Sequence, residues 1–386
     1  TTFTTNSNAL SLSDSSILEV EGVQDLSGVL PDNSVTLRLA ADSTVNTDAS
    51  LSFGTLDLAN NALTLDDGTA GWSFAQAVTL DAAGEQILTG AADLALNGGI
   101  SVTAGTLSST GGALTLPSGA TLASGASFST SNTTLNLGGS LAVADTWTST
   151  DTSIVLTDEA SLSSTEEMSL AALTTNGYNF ELASVTSDLT IENAFALTGS
   201  EVLATNGADL IFEGSVTTSS VSTIDAGDGG MLEFQNGGTA AGEINAEDAV
   251  FKIGSAYAVT GTLKTNSSTI WELGTANLDL SGGRLELGGE VVLDQILTDN
   301  LTSFKLGEDA TVTRNQGFTL GGLDFNNFTF TLGSATTDLT IAVGTSSYWK
   351  LIAKQADSDE QLFSSNARST FLENENDPSQ STFMSI

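Results

Sequence analysis

The sequence predicts an all-β protein, a parallel β-helix or β-solenoid with short non-repetitive terminal segments. A four-residue pattern recurs six times between residues 251 and 333, as FKIG, WELG, LELG, FKLG and two copies of FTLG. Successive copies start 20, 14, 19, 14 and 12 residues apart, which is too close for a strand, a crossover helix and a second strand. The chain also has 39 glycines and only 3 prolines, a composition that suits many tight turns.

Each copy reads as apolar, variable, apolar and glycine. Alternate side chains of a strand face opposite sides, so we expect the two apolar residues to point inward and the variable residue to face water. Glycine then permits a corner. Looser copies of the same alternation lie upstream and begin at Leu63, Leu94, Leu114, Leu135 and Leu210. Strand cores of three or four residues favour a winding chain, in which each turn pairs with the next, over an immunoglobulin-type sandwich.

The pattern also predicts how the chain is organised. We expect an N-terminal capping region over residues 1–40, solenoid repeats over 41–344, and a C-terminal cap or connecting tail over 345–386. The chain begins TTFTTNSNAL, without Met or a charged-then-apolar leader, so we expect a processed product or a fragment of a longer protein. No apolar run approaches 18 residues, so the sequence predicts no membrane-spanning helix.

Composition excludes several kinds of chemistry. The chain has no Cys and no His, so neither a Ser-His-Asp triad nor a zinc site with thiolate or imidazole ligands can form. The net charge is −38, and no Lys, Arg or His occurs between Arg38 and Lys252. Nucleic acids and anionic lipids need cationic partners, so we expect neither as a ligand.

The surplus of carboxylates has two interpretations, a solvated acidic surface or organised binding of divalent cations. The best local candidate for a calcium site is DAGDGG, in which Asp225 and Asp228 flank a glycine turn. It lacks both the EF-hand spacing and the repeated nonapeptide of calcium-binding β-rolls. We therefore expect that no cofactor is required, with calcium as the one ion to test.

The stretch GGISVTAGTLSSTGGALTLPSGATLASGASFSTSNTTLNLGGSLAV, residues 98–143, carries a family resemblance. Its glycine-led G-x-L-x-L strands with Thr, Ser and Asn at the corners resemble the passenger regions of bacterial autotransporters and of filamentous-haemagglutinin-like adhesins. The resemblance extends loosely over residues 41–344. It implies a right-handed parallel β-helix, export, and a role at the cell surface or in the extracellular space.

These observations also lead to an expected function for the protein. The missing catalytic groups and the repetitive fold predict a structural or adhesive surface protein and not an enzyme, with self-association or a surface glycan as its partner. Solenoid ends expose strand edges, which suits a subunit of a filament, sheath or matrix. Threonines such as those of TWTST, residues 146–150, would suit ice binding only if the same pair recurred at a fixed spacing, and no such recurrence is found.

The alternative is a polysaccharide lyase or hydrolase on a β-helix scaffold, because carboxylates alone can cleave glycosidic bonds. Three adjacent acidic pairs could serve, namely Asp66–Asp67, Asp158–Glu159 and Glu166–Glu167. Neighbouring strand residues face opposite sides, so such a pair in sequence rarely forms a pair in space. Lyases also use Lys or Arg to neutralise an acidic sugar, and the long central interval has none.

Overall fold

The computed structural model describes residues 10–66, 70–144, 147–183, 188–333, 339–342 and 352–353. Every regular element within these ranges is a β-strand. The strands pair in parallel as a β-solenoid, which confirms the predicted fold class. The chain forms two compact units, Thr1–Asn236 and Gly237–Ile386. The right-handed winding stays a prediction.

The first unit contains 29 described strands, most of three to five residues. They are β1 Leu10–Ser11, β2 Ile17–Asp25, β3 Val29–Leu30, β4 Thr36–Asn46, β5 Leu51–Phe53, β6 Thr55–Asp57, β7 Ala62–Leu65, β8 Gly71–Phe74, β9 Val78–Leu80, β10 Gln86–Leu88, β11 Asp93–Leu96, β12 Ile100–Val102, β13 Thr106–Thr110, β14 Ala113–Leu116, β15 Ala120–Leu122, β16 Ser127–Ser131, β17 Thr134–Val143, β18 Trp147–Thr150, β19 Ser153–Ser164, β20 Met168–Leu170, β21 Ala172–Thr174, β22 Phe180–Leu182, β23 Leu189–Ile191, β24 Phe195–Leu197, β25 Val202–Ala204, β26 Leu210–Phe212, β27 Val216–Thr218, β28 Thr223–Asp225 and β29 Met231–Phe234.

Register in the first unit repeats once per turn. One inward column runs through Leu51, Trp72, Leu94, Leu114, Leu135 and Ile154, and each residue pairs with the next. The intervals along this column are therefore 19–22 residues. All six side chains are buried, so the column is a continuous part of the core. Burial of such apolar area supplies most of the stabilisation.

The corner at Gly138 and Gly139 is formed in a way that the sequence did not predict. The glycine of the LNLG copy does not end its strand, because β17 continues through Gly138 and Gly139. The register with β19 instead shifts between Leu137 and Gly139, as in a β-bulge. Gly139 has a φ of 70°, and a Cβ on Gly138 would lie 2.7 Å from the carbonyl oxygen of Pro117. The bulge lets one long strand bend around a corner and serve two sides of the turn.

Aromatic side chains stack inside the first unit. Phe53 and Trp72 lie on neighbouring turns, with ring centroids 6.2 Å apart and nearly parallel planes. Phe212 contacts both Phe195 and Phe234, each at 5.3 Å between centroids. Such stacked aromatic pairs contribute about 0.5–1.5 kcal/mol each beyond the area that the rings bury.

The second unit contains 15 described strands. They are β30 Gly238–Ala240, β31 Glu243–Asn245, β32 Val250–Ile253, β33 Tyr257–Val259, β34 Thr262–Lys264, β35 Ile270–Glu272, β36 Leu278–Asp279, β37 Arg284–Val292, β38 Ile296–Leu297, β39 Ser303–Thr313, β40 Phe318–Leu320, β41 Gly322–Asp324, β42 Phe330–Leu332, β43 Leu339–Ile341 and β44 Ile352–Ala353.

Alternation in the second unit follows the predicted pattern. Phe251 and Ile253 are buried, whereas Lys252 between them is half-buried on the outer side. Trp271, in the first apolar position of WELG, is only half-buried and meets Phe251 edge-to-face at 5.8 Å. β43 pairs with β40 in parallel, whereas β44 runs antiparallel to β43.

The predicted domain boundaries stay a prediction. Parallel pairing already includes β2, which lies before residue 41 and is in register with β4. Of the predicted C-terminal segment 345–386, only the backbone of β44 lies within the described residues.

Asn206 and Gly207 form one of the corners of the first unit, with φ values of 50° and 90°. The Asn206 Nδ2 donates to the carbonyl oxygen of Leu182 and to Glu181 Oε1, both at 2.8 Å. We expect Asn206→Ala to lower the free energy of unfolding by about 1–3 kcal/mol, because alanine tolerates this backbone less well and leaves the Leu182 oxygen without that donor. Asn206→Gly keeps the backbone freedom and should cost less, and urea unfolding would measure both.

Candidate functional site

The predicted calcium pair lies at the end of β28. Asp225 is half-buried and its Oδ1 accepts a hydrogen bond from the Gly227 backbone N–H at 3.2 Å, whereas Asp228 is exposed. Among the described residues, no group of three or more acidic side chains is close enough to hold a metal ion. Calcium at this pair therefore stays a prediction.

A comparison of salts tests that prediction. If Asp225 and Asp228 bind calcium, millimolar calcium chloride should raise the melting temperature beyond sodium chloride of equal ionic strength, because a bound ligand stabilises the folded state. Asp228→Asn should remove the excess and leave the response to sodium chloride, which screens repulsion between carboxylates. Identical melting curves in the two salts would show that calcium has no specific role.

The acidic residues considered for catalysis accept hydrogen bonds from backbone N–H groups or are exposed to solvent. Asp158 Oδ1 accepts the Glu159 N–H, and Glu159 Oε2 accepts the Asn179 N–H, both at 2.8 Å. Glu166 and Glu167 are exposed at a bend between β19 and β20. Asp67 of the first pair lies outside the described residues.

Many carboxylates of the first unit bind backbone N–H groups of a neighbouring turn. Asp42 accepts the N–H of Ala62 at 2.9 Å, and Asp93 accepts that of Ala113 at 2.7 Å. Both donors lie 20 residues further along the chain. These acids hold adjacent turns together without a cation, a role that their sequence does not reveal.

Glu201 is the most enclosed carboxylate among the described residues, with no exposed surface. Its Oε2 accepts the N–H of Gly199 at 2.6 Å, and its Oε1 lies 3.4 Å from the Thr175 hydroxyl donor. Burial raises the pKa of this carboxyl, but hydrogen bonds from the backbone N–H groups of Glu201, Gly199, Thr198 and Gly177 outweigh it, so the pKa lies below its usual value. Glu201 is thus an anchor for the corner before β25.

In the second unit, carboxylates pair with cations on the same strand or on a neighbouring turn. Glu286 Oε1 lies 3.1 Å from Lys305 Nζ and 3.4 Å from Arg284 Nε. Lys264 Nζ lies 2.7 Å from Glu243 Oε1, and this hydrogen bond is the largest cause of the raised pKa of Lys264. These pairs are partly exposed, so each contributes at most about 1 kcal/mol.

One interval of the first unit differs from the rest of the chain in charge. From Leu94 to Ala144 there is no Asp, Glu, Lys or Arg, although the whole chain carries a net charge of −38. The outward side chains of its strands are mostly Ser, Thr, Asn and Ala. This charge-free interval covers β12 to β17 and nearly all of β11.

A row of hydroxyl groups, held in register by strand pairing, lies on one side of these turns and extends to β18, just beyond the interval. Ser108 of β13 pairs with Ser129 of β16, which pairs with Thr148 of β18. The Ser129 Oγ donates to the Ser108 Oγ at 2.8 Å. The row mixes Ser with Thr, so it is not the repeated Thr pair that an ice-binding ladder would need.

A groove of about 390 Å³ lies on a second side, along the sheet of β5, β8, β11, β14 and β17. Its lining includes an outward row that crosses five turns in register, formed by Ser52, Ser73, Ala95, Thr115 and Asn136. Asp93 also lines the groove, and its Oδ1 is engaged by Ala113. We take this groove as the candidate site.

Hydrogen bonds link the row at both ends of the groove. The Ser73 Oγ donates to the Ser52 Oγ at 2.8 Å, and the Asn136 Nδ2 donates to the Thr115 Oγ1 at 3.1 Å. Ala95 lies between these pairs and contributes only a methyl group. The groove thus has hydroxyl and amide groups at both ends, and its central strand β11 carries the Ala95 methyl group and the Asp93 carboxylate.

Within the described ranges, no helix is long and apolar enough to cross a membrane. A search of protein-family models, of curated proteins and of solved structures finds no match for this chain. The β-solenoid fold is consistent with the resemblance to autotransporter passenger regions and adhesins, and membership of such a family stays a prediction.

Proposed function

We propose that this chain is a structural and adhesive protein that acts outside the cell, with outer faces that contact a target surface or other copies of the chain. The observation that carries the proposal is the registered rows of uncharged polar side chains on the charge-free interval Leu94–Ala144. A regular, uncharged face suits contact with a repetitive surface, because its hydrogen-bonding groups recur at the strand spacing of about 4.7–4.9 Å.

Charge supports the same conclusion. A protein with a net charge of −38 repels other acidic surfaces, so close contact costs least where the face is neutral. The extracellular location follows from the resemblance to exported solenoids.

Adhesion and self-association can be measured together. Beads coated with the protein should adhere to polysaccharide-coated glass more strongly than beads coated with a globular protein of equal net charge. Sedimentation velocity over a range of concentrations would report self-association. A chain that stays monomeric and adheres no better than the acidic control would contradict the proposal.

A further inference from the structure

We infer that the groove on β5, β8, β11, β14 and β17 binds a neutral glycan chain. The inference rests on the proposed function and assigns a ligand class to one face of the first unit. The groove volume of about 390 Å³ falls within the range of about 300–1,000 Å³ that is usual for small-molecule sites. It therefore accommodates a short stretch of a sugar chain.

Charge selects against acidic sugars. Asp93 is the single charged residue of the groove lining, and the chain has no Lys or Arg between Arg38 and Lys252. A uronic acid would meet a carboxylate without a cation to offset the repulsion, whereas a neutral sugar would not. The second carboxylate oxygen of Asp93 can accept a hydrogen bond from a sugar hydroxyl, since Oδ1 is the atom engaged by Ala113.

Hydrogen-bonding capacity fits a polyhydroxylated ligand. Ser, Thr and Asn side chains both donate and accept, as sugar hydroxyls do. The row Ser52, Ser73, Ala95, Thr115 and Asn136 repeats these groups at the strand spacing, which suits a ligand that is itself a repeating chain. The methyl group of Ala95 gives the apolar C–H face of a sugar ring a contact at the centre.

A matched pair of substitutions tests the site. Ala95 and Ala142 are both half-buried, outward-facing strand residues within the charge-free interval, but only Ala95 lines the groove. Isothermal titration calorimetry would use neutral oligosaccharides of glucose, mannose and N-acetylglucosamine, with oligogalacturonate as the acidic comparison. We expect binding of at least one neutral chain, weakened about tenfold or more by Ala95→Glu and unchanged by Ala142→Glu.

A second variant distinguishes a loss of binding at the groove from a folding defect. Ser73→Ala with Asn136→Ala removes polar groups without adding bulk, and it should also weaken binding while the thermal unfolding curve stays near that of the unaltered protein. The inference would be overturned if no neutral oligosaccharide bound, if oligogalacturonate bound as tightly, or if Ala95→Glu and Ala142→Glu weakened binding equally. Bead adhesion that survives Ala95→Glu would reject the groove and leave the proposed function standing.

Discussion

Replacing Phe212 by alanine is expected to lower the free energy of unfolding by about 3–5 kcal/mol. Phe212 is fully buried and its ring contacts those of Phe195 and Phe234. Alanine would leave a cavity that the neighbouring turns cannot close, because their strands are held in register on both sides. Urea unfolding followed by circular dichroism would measure the loss.

Ile211 provides the matched control for Phe212. It is the preceding residue of β26, and its side chain is half-buried on the outer face. Ile211→Ala should therefore cost less than about 1 kcal/mol. Equal losses at the two positions would show that the assignment of inward and outward faces is wrong.

Glu201→Ala is expected to cost about 3–5 kcal/mol at neutral pH. The carboxylate has no exposed surface, and it accepts hydrogen bonds from the Gly199 N–H at 2.6 Å and from the Thr175 hydroxyl at 3.4 Å. Each buried donor left without an acceptor costs about 1–3 kcal/mol. Glu201→Gln should also destabilise, because its amide NH₂ would face the same donors. Glu213→Gln, at an exposed position of the same unit, is the control and should change little.

The pH dependence of unfolding gives an independent measure of Glu201. Its pKa is lower in the folded state than in the unfolded chain, so its contribution is complete above the unfolded pKa and is lost as the pH falls through the folded value. Stability should therefore decline below about pH 4.5, and the decline should be shallower in Glu201→Gln than in Glu213→Gln. Parallel pH profiles for the two variants would show that Glu201 is not a main source of acid sensitivity.

Asp209 has the opposite effect on the pH dependence of stability. Burial, together with the nearby charge of Asp188, raises the pKa of its carboxyl. This group destabilises the fold when it is ionised, and acid relieves that cost. Comparing the pH profiles of Glu201→Gln and Glu213→Gln cancels the contribution of Asp209, because both variants retain it.

Alternation predicted the fold because it reports directly on which side chains face the core. Leu135, Leu285 and Phe304 are buried as the repeats required, and the residues between apolar positions face outward. The β-bulge at Gly138 and Gly139 could not be predicted, because a glycine that bends a strand and a glycine that ends one look alike in sequence.

The candidate site was beyond sequence analysis for a different reason. The groove joins residues about 20 positions apart, so its lining depends on a register that alternation does not fix. The charge-free interval Leu94–Ala144 is visible in the sequence, but it contains only part of the groove lining, because Ser52 and Ser73 lie before it. Glu201 gave no such signal, because the sequence does not distinguish a glutamate that accepts buried backbone hydrogen bonds from one that faces solvent.

The turn spacing implies that this protein can change in length by recombination without a new core. Ala113 and Thr134 occupy equivalent positions on successive turns, so removal of residues 113–133 would bring Thr134 to the place of Ala113. Loss of a single residue inside a strand would instead turn the following side chains to the wrong face. Duplication or loss of whole turns is therefore the change in chain length that best preserves the core.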